Sequence, residues 1–170
     1  QRAEKASREK PIDTAWLSYC VDQVRNRDTL IVNDHGVSQE QLSLSEPACY
    51  FGGSPAGGLG WGIGGALGMK LAHPEKTVIA SVGDGTYMFN NPTACHFVSK
   101  AYDLPMLTIV CNNSIWHSTK AATQQVMPDG WAVGTNNFPL CDLTPSPRYE
   151  KIVAAHDGYG EMVDDPQELP

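Results

Sequence analysis

The stretch Thr77-Val78-Ile79-Ala80-Ser81-Val82-Gly83-Asp84-Gly85 decides the fold, together with Leu107-Thr108-Ile109-Val110-Cys111-Asn112-Asn113 further on. Each is an apolar run of strand length, as a sheet covered on both faces requires, and each ends in oxygen-bearing side chains. An acid between two glycines fits a tight turn, with its carboxylate pointing out of the strand and the flanking amides open to an anion. A carboxylate plus a carboxamide oxygen suits a hard cation such as Mg²⁺, which completes its octahedron with waters and phosphate oxygens. The pair reads as a site for a metal and a diphosphate.

Between the two runs, Asn91 is placed to cap a helix and Pro92 to start it, with Ala94, Phe97, Val98 and Ala101 on one face. The spacing predicts a crossover helix over Pro92 to Tyr102 and a right-handed parallel unit. Both polar ends then lie on one sheet edge, and Asp84 and Asn113 can share one ion.

Upstream, Pro11 opens a helical pattern that buries Ile12, Ala15, Trp16 and Tyr19, widened by Val21 and Val24. Leu30-Ile31-Val32 reads as a buried strand leaving through Asn33-Asp34-His35-Gly36, at the edge where open α/β sheets bind ligands. His35 reads either as a phosphate contact or as a surface or packing residue. Phe51 to Gly68 holds eight glycines between Gly52 and Gly65. Gly57, Gly58 and Gly60 suit close approach of a ligand, whereas Gly64, Gly65 and Gly68 suit tight helix packing. Gly60, Gly62 and Gly65 also spell G-x-G-x-x-G, with Asp84 nineteen residues on. A dinucleotide fingerprint needs a strand running into its first glycine, and Phe51-Gly52-Gly53-Ser54-Pro55-Ala56 is a poor strand.

Downstream, Ser114 to Pro147 has little periodicity and reads as a long loop, a candidate lid. Tyr149 to His156 reads as a short helix with His156 packed, and Gly160 to Val163 as a last strand. The chain of 170 residues fits one domain of three-layer α/β/α type with a mainly parallel sheet. Twelve basic against nineteen acidic residues give a charge of −7, without the basic cluster that tracks nucleic acid or acidic membranes. The five cysteines form no C-x-x-C pair, which suits reduced thiols in the cytoplasm. No run has membrane-spanning length. The first residue is not methionine and Asp164 to Pro170 reads as a helix start, so both ends are expected to be cut.

G-D-G, then twenty-six residues, then N-N resembles the motif of the thiamine diphosphate-dependent enzymes, from about Ile31 to Val163. Ala56-Gly57-Gly58-Leu59-Gly60 looks like the matching segment of benzoylformate decarboxylase, within the acetolactate synthase and pyruvate decarboxylase group. The resemblance implies the diphosphate-binding domain of a three-domain enzyme, with thiamine diphosphate and Mg²⁺ as cofactors and FAD left open. Asp84, the Asn113 side chain and the Ile115 carbonyl would hold Mg²⁺. Gly83, Gly85, Thr86 and Ser114 would meet the diphosphate. Asp34, His35 and Gly36 would reach its far side, although the family often carries hydroxyl residues or Gln there. The Gly57 carbonyl would accept a bond from the cofactor's 4′-amino group. Gly58 and Leu59 would follow it, with Leu59 as the wedge that bends the cofactor; an ordinary core leucine is the plainer alternative.

The implied reaction is decarboxylation or carboligation of a 2-oxo acid, breaking or forming a C–C bond through a C2 ylid. A glutamate on the pyrimidine-binding domain completes the site in this family, and no glutamate here occupies that motif. The expected partners are therefore the pyrimidine-binding and middle domains, in a homodimer or homotetramer. A noncatalytic thiamine-fold assembly subunit and an NAD-dependent dehydrogenase are the alternatives.

Overall fold

A computed structural model describes residues 2–54 and 56–169; Gln1, Pro55 and Pro170 lie outside the described residues. The chain opens with α1 (Arg2–Ala6) and α2 (Thr14–Val24), then enters β1 (Thr29–Asp34) and the short β2 (Tyr50–Gly52). It continues through α3 (Gly62–Ala72), β3 (Thr77–Gly83), α4 (Asp84–Phe89), α5 (Pro92–Ala101) and β4 (Leu107–Cys111). Helices α6 (His117–Val126), α7 (Trp131–Gly134) and α8 (Tyr149–Ala154) follow. The strands form one parallel sheet in the order β2-β1-β3-β4.

Alternation along the strands sorts the core into two layers of helix. Leu30, Val32, Val78 and Ala80 face α3, joined by Ala66. Val82 continues that face toward Ile63, Leu67, Tyr87 and Tyr149. Ile31 and Ile79 point the other way, against Val21 of α2 and the Val37 to Leu44 segment. Each such fully buried aliphatic side chain contributes about 1.5–3 kcal/mol. The three-layer α/β/α architecture is therefore the one expected.

From β1 the chain steps to β2 on one side, then crosses to β3 on the other, so the order reverses between β1 and β3. Ligands of open α/β sheets bind at the carboxyl ends flanking such a switch point. Asp34 ends β1 in register with Val82, Gly83 ends β3 one residue further on, and Cys111 pairs with Gly83 from β4.

Several local expectations differ. Gly83-Asp84-Gly85 is no free tight turn, because Asp84 begins α4, anchored by buried Tyr87, whose hydroxyl lies 2.7 Å from His96 Nε2. Asn91 holds the N-cap position with φ of 51° but its side chain caps nothing, whereas Pro92 starts α5 as expected. On α5 the inward residues are Cys95, His96 and Val98, and Phe97 is 61% exposed, with Ala94 and Ala101 also outward. Val24 is likewise outward. A Cβ at Gly64 or Gly68 would meet nothing within 4 Å, so neither packs against this chain; Gly65 packs against Trp61. Ser114 to Pro147 contains α6 and α7, Gly160 to Val163 forms no strand, and Pro166–Glu168 is a 3-10 turn.

Candidate functional site

Asp84 is 3% exposed, and its Oδ2 accepts the Ser114 backbone N–H at 2.7 Å. Among the described residues its carboxylate makes no further hydrogen bond and no ion pair. A buried carboxylate held by one amide requires a countercharge, since desolvation of an unpaired ion is costly. Its field reaches its neighbours. Burial, with Asp84 adding to it, pushes the Cys111 thiol up to about 11, and the same two causes raise the Tyr149 phenol.

Around Asp84 the backbone is tightly shaped. A Cβ at Gly85 would overlap the Trp116 indole, so only glycine fits. Trp116 in turn meets Phe89 edge to face at 5.4 Å. Thr86 is buried, and no side chain caps the amides that open α4.

The start of α3 is the opposite case. Asp34 Oδ2 accepts the N–H groups of Gly60, Trp61 and Gly62, each at 3.0 Å. Asn90 Oδ1 accepts the next, from Ile63, at 2.9 Å, while its Nδ2 donates to the Thr86 carbonyl at 2.9 Å. The orphan donors of this helix are thus already satisfied. Asp34, expected on the far side of a diphosphate, has one carboxylate oxygen committed to its own chain. Asn90 escaped the sequence reading, since nothing local marks which of Asn90 and Asn91 points inward.

The remaining predicted residues gather on the same edge. His35 is exposed with φ of 94°, and its carbonyl accepts the Ser81 hydroxyl at 3.1 Å. A Cβ at Gly36 would overlap Ser81 and Cys111, which fixes this loop over the strand ends. Gly57 and Gly58 stand in open space, Gly57 with φ of 68°. Leu59 is 39% exposed rather than a core leucine, and Gly60 packs on the Phe89 backbone. Asn113 Oδ1 accepts the Ile115 N–H at 3.1 Å, and the Ile115 carbonyl accepts the His117 N–H at 2.9 Å. Each of these oxygens keeps a second lone pair.

Two surface hollows lie elsewhere. One of about 540 Å³ is lined by Arg2, Lys5, Ala6, Glu9 and Asp13. The other, of about 330 Å³, includes Asp28 and Lys76, which precede β1 and β3 at the opposite edge of the sheet. Neither is lined by Asp84.

A parallel sheet whose carboxyl edge carries an unpaired buried acid, an uncapped helix start and an Asn-Asn turn defines an α/β cofactor-binding domain. Residues 34–170 match the family described as thiamine pyrophosphate enzyme, C-terminal TPP binding domain, and the chain belongs to that family. It is 31% identical over 147 residues to the acetolactate synthase large subunit IlvG of Mycobacterium tuberculosis, covering 84% of this chain and 25% of the relative. Against human 2-hydroxyacyl-CoA lyase 1 it is 32% identical over 174 residues, covering 94% and 28%. The fold matches the solved structure of a thiamine diphosphate-dependent 4-hydroxybenzoylformate decarboxylase from Rhodococcus jostii RHA1 with a TM-score of 0.79. That match has 22% identity and covers 94% of this chain and 29% of that one. The chain thus spans about a quarter of the length of the curated relatives it matches.

Proposed function

We propose that this chain is the diphosphate- and Mg²⁺-binding part of a thiamine diphosphate-dependent 2-oxo acid decarboxylase or carboligase. The observation that carries the reading is the buried Asp84 carboxylate, without a cation partner among the described residues and bonded across the β3 and β4 ends to Ser114. No group of three or more His, Cys, Asp or Glu gathers among the described residues. The donor set offered is one carboxylate with neutral amide and carbonyl oxygens, which is the chemistry Mg²⁺ takes alongside phosphate.

Asp84, the Asn113 side chain and the Ile115 carbonyl would hold the ion. The Gly85 and Thr86 amides at the uncapped start of α4, with Ser114, would hold the diphosphate. The Gly57 carbonyl and the exposed Leu59 would meet the rest of the cofactor. When bound, thiamine diphosphate supplies a carbon nucleophile and an electron sink for breaking or forming the bond beside a 2-oxo acid's carbonyl. The chain's own contribution is positioning: Asp84 fixes the ion, and Trp116 and Phe89 keep an apolar wall against the α4 turn.

The rest of the site belongs to further domains. Leu71 is 65% exposed, and with Gly64 and Gly68 it leaves one side of α3 bare; on the neighbouring α5, Phe97 and Ala101 are also outward. A pyrimidine-binding domain, from this subunit or a second one in a dimer or tetramer, would cover that face. The cysteines are free, and no described helix is long and apolar enough to cross a membrane, in keeping with a cytoplasmic enzyme. The dinucleotide alternative meets an obstacle at α3, where Asp34 and Asn90 already take the amides a pyrophosphate would need.

The test offers a panel of 2-oxo acids to the full-length enzyme with thiamine diphosphate and Mg²⁺, and follows CO₂ release and acyloin formation. Turnover of at least one 2-oxo acid, abolished by chelation of the metal, is expected. No turnover of any by a cofactor-loaded assembly would favour the noncatalytic subunit and overturn the proposal.

A further inference from the structure

We propose that Asn112 and Ser146 are positioning residues for the ion-binding turn: Ser146 aims the Asn112 amide, and Asn112 holds Ser114 against Asp84. The inference rests on the cofactor reading above and gives a role to the asparagine that reading leaves without one.

The Asn112 amide works in two directions. Its Nδ2 donates to Ser146 Oγ at 2.7 Å. Its Oδ1 accepts both the N–H and the hydroxyl of Ser114, at 3.1 and 3.2 Å. The same Ser114 N–H is shared with Asp84 Oδ2 at 2.7 Å. Two donors on one oxygen fill the lone pairs of Asn112 Oδ1, so it orients the turn, and the ion is left to the remaining lone pair of Asn113 Oδ1, whose other accepts the Ile115 N–H.

Ser114 needs such a hold. Its φ of 56° is left-handed, a conformation that a residue with a Cβ keeps only when its surroundings impose it. The Asn112 amide could turn about its terminal torsion if nothing fixed its far end. Ser146 supplies that fixed end, because its own segment is anchored twice. Leu143 N–H donates to the Ser114 carbonyl at 2.9 Å and Trp116 N–H to the Cys141 carbonyl at 2.8 Å. On the other side, Tyr149 is buried in the core at the start of α8. The excursion through α6 and α7 is therefore closed at its base by bonds that converge on the turn carrying Asn113.

The test prepares Ser146→Ala, Ser146→Thr, Asn112→Ala and the alanine double variant in the full-length enzyme. Calorimetry of thiamine diphosphate across a Mg²⁺ series is read beside the urea midpoint. Ser146→Ala is expected to raise the half-saturating Mg²⁺ concentration by about two- to tenfold, as loss of one hydrogen bond implies, with the midpoint little changed because the bond is exposed. Thr at 146 should restore it, and the double variant should match Asn112→Ala alone. An Ala variant indistinguishable from wild type, a loss that Thr does not rescue, or additive losses would each overturn the proposal. If wild type takes up no cofactor with Mg²⁺ present, the cofactor reading itself fails and this inference with it.

Discussion

Asp84 and Ser114 stand thirty residues apart in sequence, yet the Asp84 carboxylate accepts the Ser114 backbone N–H at 2.7 Å. This bond joins the ends of β3 and β4 and makes one site of two short motifs. It engages one carboxylate oxygen of Asp84 and leaves the other without a hydrogen bond among the described residues.

Asp84→Asn keeps an acceptor for Ser114 and removes the unpaired buried charge. Unfolding of the cofactor-free protein should therefore occur at equal or higher urea, because an uncompensated ion has been deleted. Mg²⁺-dependent affinity for thiamine diphosphate should fall on the order of 100-fold, the scale of a charged contact of about 3 kcal/mol. A variant that is much less stable and still binds would contradict both halves.

Leu59→Ala and Leu67→Ala separate cofactor contact from core packing. Leu67 is buried against Val82 and Tyr87, and its truncation should cost about 2–5 kcal/mol of stability. Leu59 is only partly covered, so its truncation should cost less than about 1 kcal/mol, leave metal binding intact and lower turnover. Thermal melts and initial rates measured on both variants distinguish the roles; unchanged turnover in the Leu59 variant would make that residue structural.

Gly85→Ala forces a methyl group into the Trp116 ring. The clash should cost about 1–3 kcal/mol and weaken cofactor binding. Adding Trp116→Ala should recover much of the stability, which urea titration of the single and double variants measures. No recovery would mean that the backbone, not the indole, sets the limit.

His96 is buried and bonded to Tyr87, and burial, reinforced by His156, holds its pKa below the ordinary imidazole value. The unfolded chain therefore binds a proton more readily than the folded one. Stability from this group is present above about pH 6.5 and is lost as pH falls through the lower folded value. Urea midpoints at pH 7.5, 6 and 5 should decline for wild type and decline less for His96→Gln. Parallel declines would remove His96 as the cause.

Tyr149 buries a hydroxyl that lies near Ser146, which offsets part of the rise in its pKa, but completes no well-formed hydrogen bond among the described residues. Tyr149→Phe should be neutral or stabilising by up to about 1 kcal/mol, since the ring stays packed edge to face on Tyr87. A clear loss in melting temperature would show that the hydroxyl bonds to Ser146 in solution.

The apolar runs of β1, β3 and β4 were legible in the sequence because strands buried on both faces leave little ambiguity. Strand β2 was not, since Tyr50-Phe51-Gly52 extends only because β1 offers it a ladder. Helix α6 buries no residue, so its polar sequence carries no apolar stripe to read. Gly160 to Val163 has strand-like composition but no neighbour to pair with. At the site, the spacing of Asp84, Asn113 and Leu59 follows from local motifs. The commitment of Asp34 and Asn90 to the start of α3 spans 26 to 28 residues and depends on how the sheet and helices meet. Outward Phe97 was read as core because helical periodicity marks an apolar face without saying which partner covers it.

The central claim is that the edge around Asp84 holds thiamine diphosphate through Mg²⁺. The most direct measurement is calorimetric titration of thiamine diphosphate into the full-length enzyme, with Mg²⁺ and after its removal by chelation. Saturable binding of one cofactor per chain, lost without the metal and restored when it is added back, is the predicted result. Binding of equal strength without a divalent ion, or none with it, would contradict the claim.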